Sequence, residues 1–227
     1  GLSGLHWTPD GLRIGAATRW SEIAKADLPN CFGGLQAAAR TVGSVQIQNA
    51  GTIAGNICNA SPAADGMPPL MTLGAEVEIS GPNGTHRMPV ETFVTGPRQT
   101  QLRAGELVTA ILIPSLPAHS RGAFEKLGSR SYLVISVTMV AVVIGCDAKG
   151  CIDFARVAVG ACSPVAKRLM GLEADLIGQK PQQVTVAPDH LTPLAPITDI
   201  RADAGYRLEA VAEQIKRAVS KAAISNG

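Results

Sequence analysis

Residues 43–65 read GSVQIQNAGTIAGNICNASPAAD. Three glycines, Gly43, Gly51 and Gly55, are interleaved with Ser44, Gln46, Gln48, Asn49, Thr52, Asn56, Asn59 and Ser61, and no charge occurs before Asp65. Glycine lets backbone approach a ligand closely or take positive φ, leaving N–H groups free to point at oxygens. Amides and hydroxyls add donors and acceptors without charge. Two readings follow from composition. One is a turn-rich connection whose Asn and Ser side chains satisfy backbone groups. The other is a loop for a large polar ligand carrying phosphate and sugar. The stretch of 23 residues without helix or strand periodicity favours the second, because long irregular loops in compact domains tend to be functional.

Outward from this stretch, short strands and helices are predicted on both sides. Residues 11–18 have the alternation of a strand, Ser21 is placed to cap a brief helix, and the alanine-rich residues 32–40 predict another helix. Residues 65–74 predict a helical turn with Pro68 near its start. Residues 76–80 and 86–90 flank GPNG as a hairpin, and residues 107–113, closed by Pro114, predict a further strand. The Pro-rich link PSLPAHSRG divides the chain into units 1–117 and 118–227. Beyond it, residues 123–127, 134–146 and 152–160 predict strands, and 165–177 and 204–224 predict helices. Strands followed by helices indicate an α+β layer with an antiparallel sheet covered on one face.

Composition narrows the function classes. With 46% hydrophobic and 17% charged residues the chain is an ordinary globular one, built on Val, Ile, Leu and Ala because only 4% of residues are aromatic. The 20 basic and 18 acidic residues form no positive stripe, and so few rings provide no stacking platform, so nucleic-acid binding is not expected. The longest apolar run, YLVISVTMVAVVIGC at residues 132–146, has fifteen residues against the roughly 18 a membrane helix needs, and its β-branched content predicts a buried strand. GLSGLHWTPDG at the start shows no secretory pattern. Five cysteines without a CxxC pair suit a reduced, cytoplasmic setting. Cys146 and Cys151 lack the remaining spacing of an iron–sulfur site, and DAKG between them reads as a hairpin turn joining two paired strands. His6, His86, His119 and His190 are scattered singly, so no metal site is expected.

The order of residues in 43–65 closely resembles the second flavin-binding signature of the xanthine dehydrogenase and carbon monoxide dehydrogenase flavoprotein family, G-S-x-Q-I-R-N-x-G-T-I-G-G-N-I followed by A-S-P-x-x-D. The similarity continues through LGAEVEIS, ETFVTGPRQT, AGELVTAILIP, FEKLGSR and VAVGACSPVAKR, nearly the entire chain. It implies a second FAD-binding subdomain with mixed or antiparallel sheet, followed by a small C-terminal domain of antiparallel strands packed with helices. Carried over by position, Thr52, Gly55 and Asn56 are implied to contact the FAD pyrophosphate and ribityl chain, with Ile53 among the contacts. Asp65 is implied to bind the adenosine portion, Val42 and Val108 to make apolar contacts, and Lys126 to lie near the isoalloxazine ring. The plainer readings are an N-cap for Asp65, a solvated side chain for Lys126 and ordinary core for Val42 and Val108.

Two residues depart from the signature. Ala54 stands where the family has the first glycine of TIGGN; its methyl either restricts close approach or points away from the ligand. Gln48 stands where the family has arginine, losing a guanidinium fork. In the family, an N-terminal subdomain with an AGGT-like loop precedes the region equivalent to Gly1, and the expectation here is one wall of the cradle without that loop.

The resemblance implies the flavoprotein component of a molybdenum-dependent oxidoreductase, with no catalytic side chain of its own. Hydroxylation is expected at molybdopterin in a large subunit, and electrons are expected to pass through 2Fe–2S clusters in a small subunit to FAD here. From there they reach NAD, a quinone or oxygen, the redox chemistry belonging to the cofactor. Two other readings stand beside it: a flavin-free scaffold joining the molybdenum and iron–sulfur subunits, and a nucleotide-binding module outside this family.

Overall fold

A computed structural model describes residues 1–130 and 134–224. In chain order the elements are β1 (Leu5–Thr8), β2 (Gly11–Gly15), α1 (Trp20–Lys25), α2 (Gly33–Thr41), α3 (Val45–Ala50), α4 (Ile53–Cys58), α5 (Met67–Thr72), β3 (Glu76–Gly81) and β4 (Gly84–Pro89). They continue with α6 (Val90–Phe93), β5 (Val94–Gly96), β6 (Gln99–Thr100), β7 (Leu107–Pro114), β8 (Arg121–Leu127), β9 (Thr138–Cys146), β10 (Ile152–Gly160), β11 (Lys167–Arg168), α7 (Met170–Leu176) and α8 (Ala204–Ile224). The fold is α+β, as expected. A five-stranded antiparallel sheet runs β1-β2-β7-β3-β4, and a four-stranded one runs β11-β10-β9-β8. In the first sheet β7 is central, with Ile111 opposite Ile14 on one side and Val77 on the other.

The second sheet corrects the expectation of one covered face. Side chains alternate across a strand, and β9 is buried on both sides. Val140, Val142 and Ile144 join Val157 and Val159 in a core with Leu172, Leu176, Val211 and Ile215 of α7 and α8. Met139 and Ala141 pack with Phe124 and with Ala38 of α2, while Val143 and Ala158 join the core of the first sheet. Helices of the N-terminal half therefore cover one face of the C-terminal sheet, and α7 and α8 cover the other. An apolar run without alternation is the mark of a strand buried on both faces.

Other boundaries also moved. β9 begins at Thr138, not at residue 134; of the apolar run, Tyr132 and Leu133 lie outside the described residues. Residues 165–177 are not one helix: Lys167 and Arg168 pair with β10, and the helix starts at Met170. Ser21 is not a cap, because α1 starts at Trp20 and the Arg19 N–H donates to the Glu22 carboxylate at 2.8 Å. The hairpin turn after Cys146 is present, closed by the Asp147 N–H donating to the Cys151 carbonyl at 2.8 Å. Among the described residues no helix is long and apolar enough to cross a membrane.

Candidate functional site

Residues 43–65 hold two short helices where no periodicity predicted any. Six residues are too few for an isolated helix to persist, so each is fixed at its start by a cap. Ser44 Oγ accepts from the Ile47 N–H at 3.4 Å, and Thr52 Oγ1 accepts from the Gly55 N–H at 3.1 Å. α3 buries no side chain and leaves Val45 and Ile47 exposed. α4 buries Ile53, Ala54 and Ile57, and its Ile53 and Ala54 N–H groups donate to the carbonyls of Thr18 and Ala16 at 3.0 and 3.3 Å. The methyl of Ala54 therefore points into the core. Gln48 turns back on α2, donating to the Arg40 carbonyl at 2.9 Å.

These bonds decide what α4 can offer a ligand. Its first N–H groups are spent inside the chain, so recognition falls to two side chains. Thr52 Oγ1 already accepts a hydrogen bond, which leaves its O–H to donate. Asn56 Oδ1 accepts from the Gly66 N–H at 3.2 Å, which leaves its NH₂ group. Among the described residues neither remaining donor has an acceptor. Gly55 is exposed beside them, and a Cβ there would come within 2.9 Å of Thr52 Oγ1, filling the space between the donors and a ligand. Two uncharged donors beside open backbone fit the oxygens of a diphosphate-bearing cofactor.

The Asn56–Gly66 bond brings Asp65 alongside. Asp65 is not an N-cap; Gly66 occupies that place for α5. The residue is 7% exposed, one carboxylate oxygen accepting from Lys126 Nζ at 2.7 Å and the other from Ser136 Oγ at 2.9 Å. Burial pushes the Asp65 pKa up, against the pull of the Lys126 ammonium and the Ser136 hydroxyl. Lys126, itself half-buried, also donates to the Thr41 carbonyl at 3.3 Å. A cleft of about 340 Å³ opens here, lined by Thr41, Lys126, Leu127, Gly128, Arg130 and Val134. Val42, Ile53 and Val108 lie in the core of the first sheet, their side chains packed inward.

The residue reading missed Ser136, Thr41 and Trp20. Trp20 is 1% exposed and lies under Gly66, where a Cβ would meet its ring at 2.7 Å. Ser136 is 71 positions from Asp65, and no local pattern marks it.

Residues 1–116 match the FAD binding domain in molybdopterin dehydrogenase, and residues 123–222 match the CO dehydrogenase flavoprotein C-terminal domain. The chain belongs to the molybdopterin-dehydrogenase flavoprotein family. The xanthine dehydrogenase FAD-binding subunit of Escherichia coli O157:H7 is 30% identical over 237 residues, an alignment that covers 100% of this chain and 79% of the relative. The glyceraldehyde dehydrogenase medium chain of Sulfolobus acidocaldarius is 32% identical over 209 residues, covering 89% of this chain and 72% of the relative. Among solved structures, the reconstituted CO dehydrogenase from Oligotropha carboxidovorans matches with a TM-score of 0.88 at 25% identity, covering 99% of this chain and 79% of that one. Family membership overturns the reading of a nucleotide-binding module outside this family. It also makes FAD the cofactor of this flavoprotein domain.

Proposed function

We propose that Thr52, Gly55 and Asn56 hold the diphosphate region of FAD, and that Lys126, backed by Asp65, presents its ammonium edge toward the redox ring. The observation that carries this reading is the pair of unspent donors on Thr52 and Asn56, tied through Gly66 to the Asp65–Lys126 pair. Bound FAD supplies electron exchange between the 2Fe–2S clusters of a small subunit and an external acceptor, NAD, a quinone or oxygen, while hydroxylation belongs to molybdopterin in a large subunit. This chain's residues bind and orient. Thr52 and Asn56 donate to acceptor oxygens without adding charge, and the Asp65 carboxylate fixes the Lys126 ammonium at the cleft wall. Val42, Ile53 and Val108 support that wall from the core side.

The assembly partners we infer are the large molybdopterin subunit and the small iron–sulfur subunit; a relative bearing the name of a medium chain supports this. Residues 1–117 and 118–227 form the two units of the flavoprotein, in a cytoplasmic setting suited to five free thiols. The test is flavin content. Thr52→Ala loses bound FAD on gel filtration while the exposed control Lys216→Ala keeps it, at a stability cost of about 1 kcal/mol for the lost cap. Wild-type flavin content in Thr52→Ala would sink the site.

A further inference from the structure

Among the described residues, three non-glycine residues have left-handed backbone: Ala60 (φ 47°), Arg98 (φ 61°) and Ala161 (φ 62°). Side chains with a Cβ disfavour this region, and it persists where the surroundings over-determine it. All three meet at one turn. Residues 59–62, Asn-Ala-Ser-Pro, leave α4 and lead to Asp65. The Arg98 N–H donates to the Ala60 carbonyl at 2.9 Å. Its guanidinium Nη1 donates to the Asn59 carbonyl at 3.1 Å and also to Asn59 Oδ1. From the second sheet, the Ala161 N–H donates to the Pro62 carbonyl at 2.9 Å.

The turn joins the two parts of the flavin wall. On one side are the donors of Thr52 and Asn56; on the other is the Asp65–Lys126 pair. Arg98 comes from ETFVTGPRQT and Ala161 from VAVGACSPVAKR, stretches with no part in the wall itself. Arg98 is exposed, and an exposed arginine is ordinarily close to neutral for stability. Here an exposed arginine takes a strained backbone and spends its N–H and guanidinium on one turn, which burial does not explain.

We propose that Arg98 is a positioning residue for the FAD site: acting through Asn59 and Ala60, it sets the spacing between the α4 donors and the Asp65–Lys126 pair. This rests on the flavin site described above. Distance between two binding determinants is what an unclamped turn would blur, and misplaced donors lose ligand affinity without loss of the fold.

The experiment titrates FAD into flavin-free, full-length protein. In Arg98→Ala the dissociation constant rises about tenfold, the equivalent of one charged hydrogen bond, while the melting temperature of the flavin-free protein stays with that of an Arg87→Ala control. Arg98→Lys recovers only part of the affinity, since an ammonium can donate to both Asn59 acceptors but rides on a flexible stem without the fixed plane of the guanidinium. Wild-type affinity in Arg98→Ala, with Thr52→Ala still weakened, overturns the positioning role and leaves the site standing. Wild-type affinity in both variants overturns the site and the role together. An affinity loss matched by a fall in the flavin-free melting temperature marks a purely structural residue and also overturns the role. Should Arg98→Ala fail to fold, Asn59→Ala removes the side-chain acceptor alone; a weaker FAD complex supports the proposal, and unchanged binding overturns it.

Discussion

Two of the ion-paired acidic residues, Asp65 and Asp199, have opposite electrostatics. Asp65, paired with Lys126, is buried, and burial outweighs its partners so that its pKa is raised. Asp199, paired with Arg207, is held down to about 2, first by the Arg201 N–H and then by the Arg207 and Ala202 donors. Their partners differ in the same sense. Arg207 is 2% exposed and donates to the carbonyls of Val137 and Ala161 as well as to Asp199, so it ties the start of α8 to the second sheet. Lys126 reaches one carbonyl and lines a cleft. A pair whose arginine spends both terminal nitrogens on backbone carbonyls and a carboxylate serves the fold, even with Arg207 Nε left unpartnered among the described residues. A pair kept at a desolvation cost beside an open cleft is the one to connect with ligand chemistry.

The largest effect that would sharpen this contrast comes from Arg207→Leu. It strips two carbonyls and Asp199 of their donor, and urea denaturation should show a loss of about 3–5 kcal/mol. A loss below about 1 kcal/mol would break the contrast, since Arg207 would then hold nothing. Lys126→Met comes next, at about 1–3 kcal/mol, because Asp65 is left buried with Ser136 alone. The double variant Asp65→Asn/Lys126→Met should regain most of that stability without regaining flavin. If flavin returned with stability, Lys126 would be merely structural.

The pH dependence gives the pairs opposite signs. Asp199 has its pKa lowered in the fold, so the stability it contributes is full above the ordinary value of 3.8 and is lost as pH falls toward about 2. Asp65 has its pKa raised, so the folded chain binds the proton more readily than the unfolded one. Its contribution therefore falls as pH rises from 3.8 through the raised value. Melting temperatures of wild type minus Asp199→Asn, and of wild type minus Asp65→Asn, plotted against pH, should slope in opposite directions across their windows. Parallel slopes would show that both carboxylates serve the same structural end. The smallest expected effect is that of Gln48→Ala, within about 0.5 kcal/mol by thermal melting, because Gln48 makes one exposed bond to the end of α2.

Much of the fold was legible where a long pattern met a clear stop. The strand of residues 107–113 extends by one residue to Pro114, and residues 152–160 and 204–224 stand as read. The helices α3 and α4 were not legible, because a six-residue helix shows no repeating stripe and here depends on the Ser44 and Thr52 caps. The start of residues 165–177 misled because Ala166, Lys167, Arg168 and Leu169 suit a helix by propensity, while pairing with β10 drew Lys167 and Arg168 into the sheet. Of the candidate site, Thr52, Asn56, Asp65 and Lys126 were named from the sequence, but Ser136 was not.

By itself the sequence determined the family, the α+β class, the uncharged polar character of residues 43–65 and the strands and helices whose period exceeds a turn or two. These are properties of adjacent residues, set by side-chain alternation and backbone preference. Only the tertiary structure decided that Thr52 and Asn56 are left as donors, that the methyl of Ala54 faces the core, that β9 is buried on both faces and that Asp65 meets both Lys126 and Ser136. Each depends on which distant group already occupies a hydrogen bond or fills a space, and a hydrogen-bonding group spent on one partner is no longer open to another.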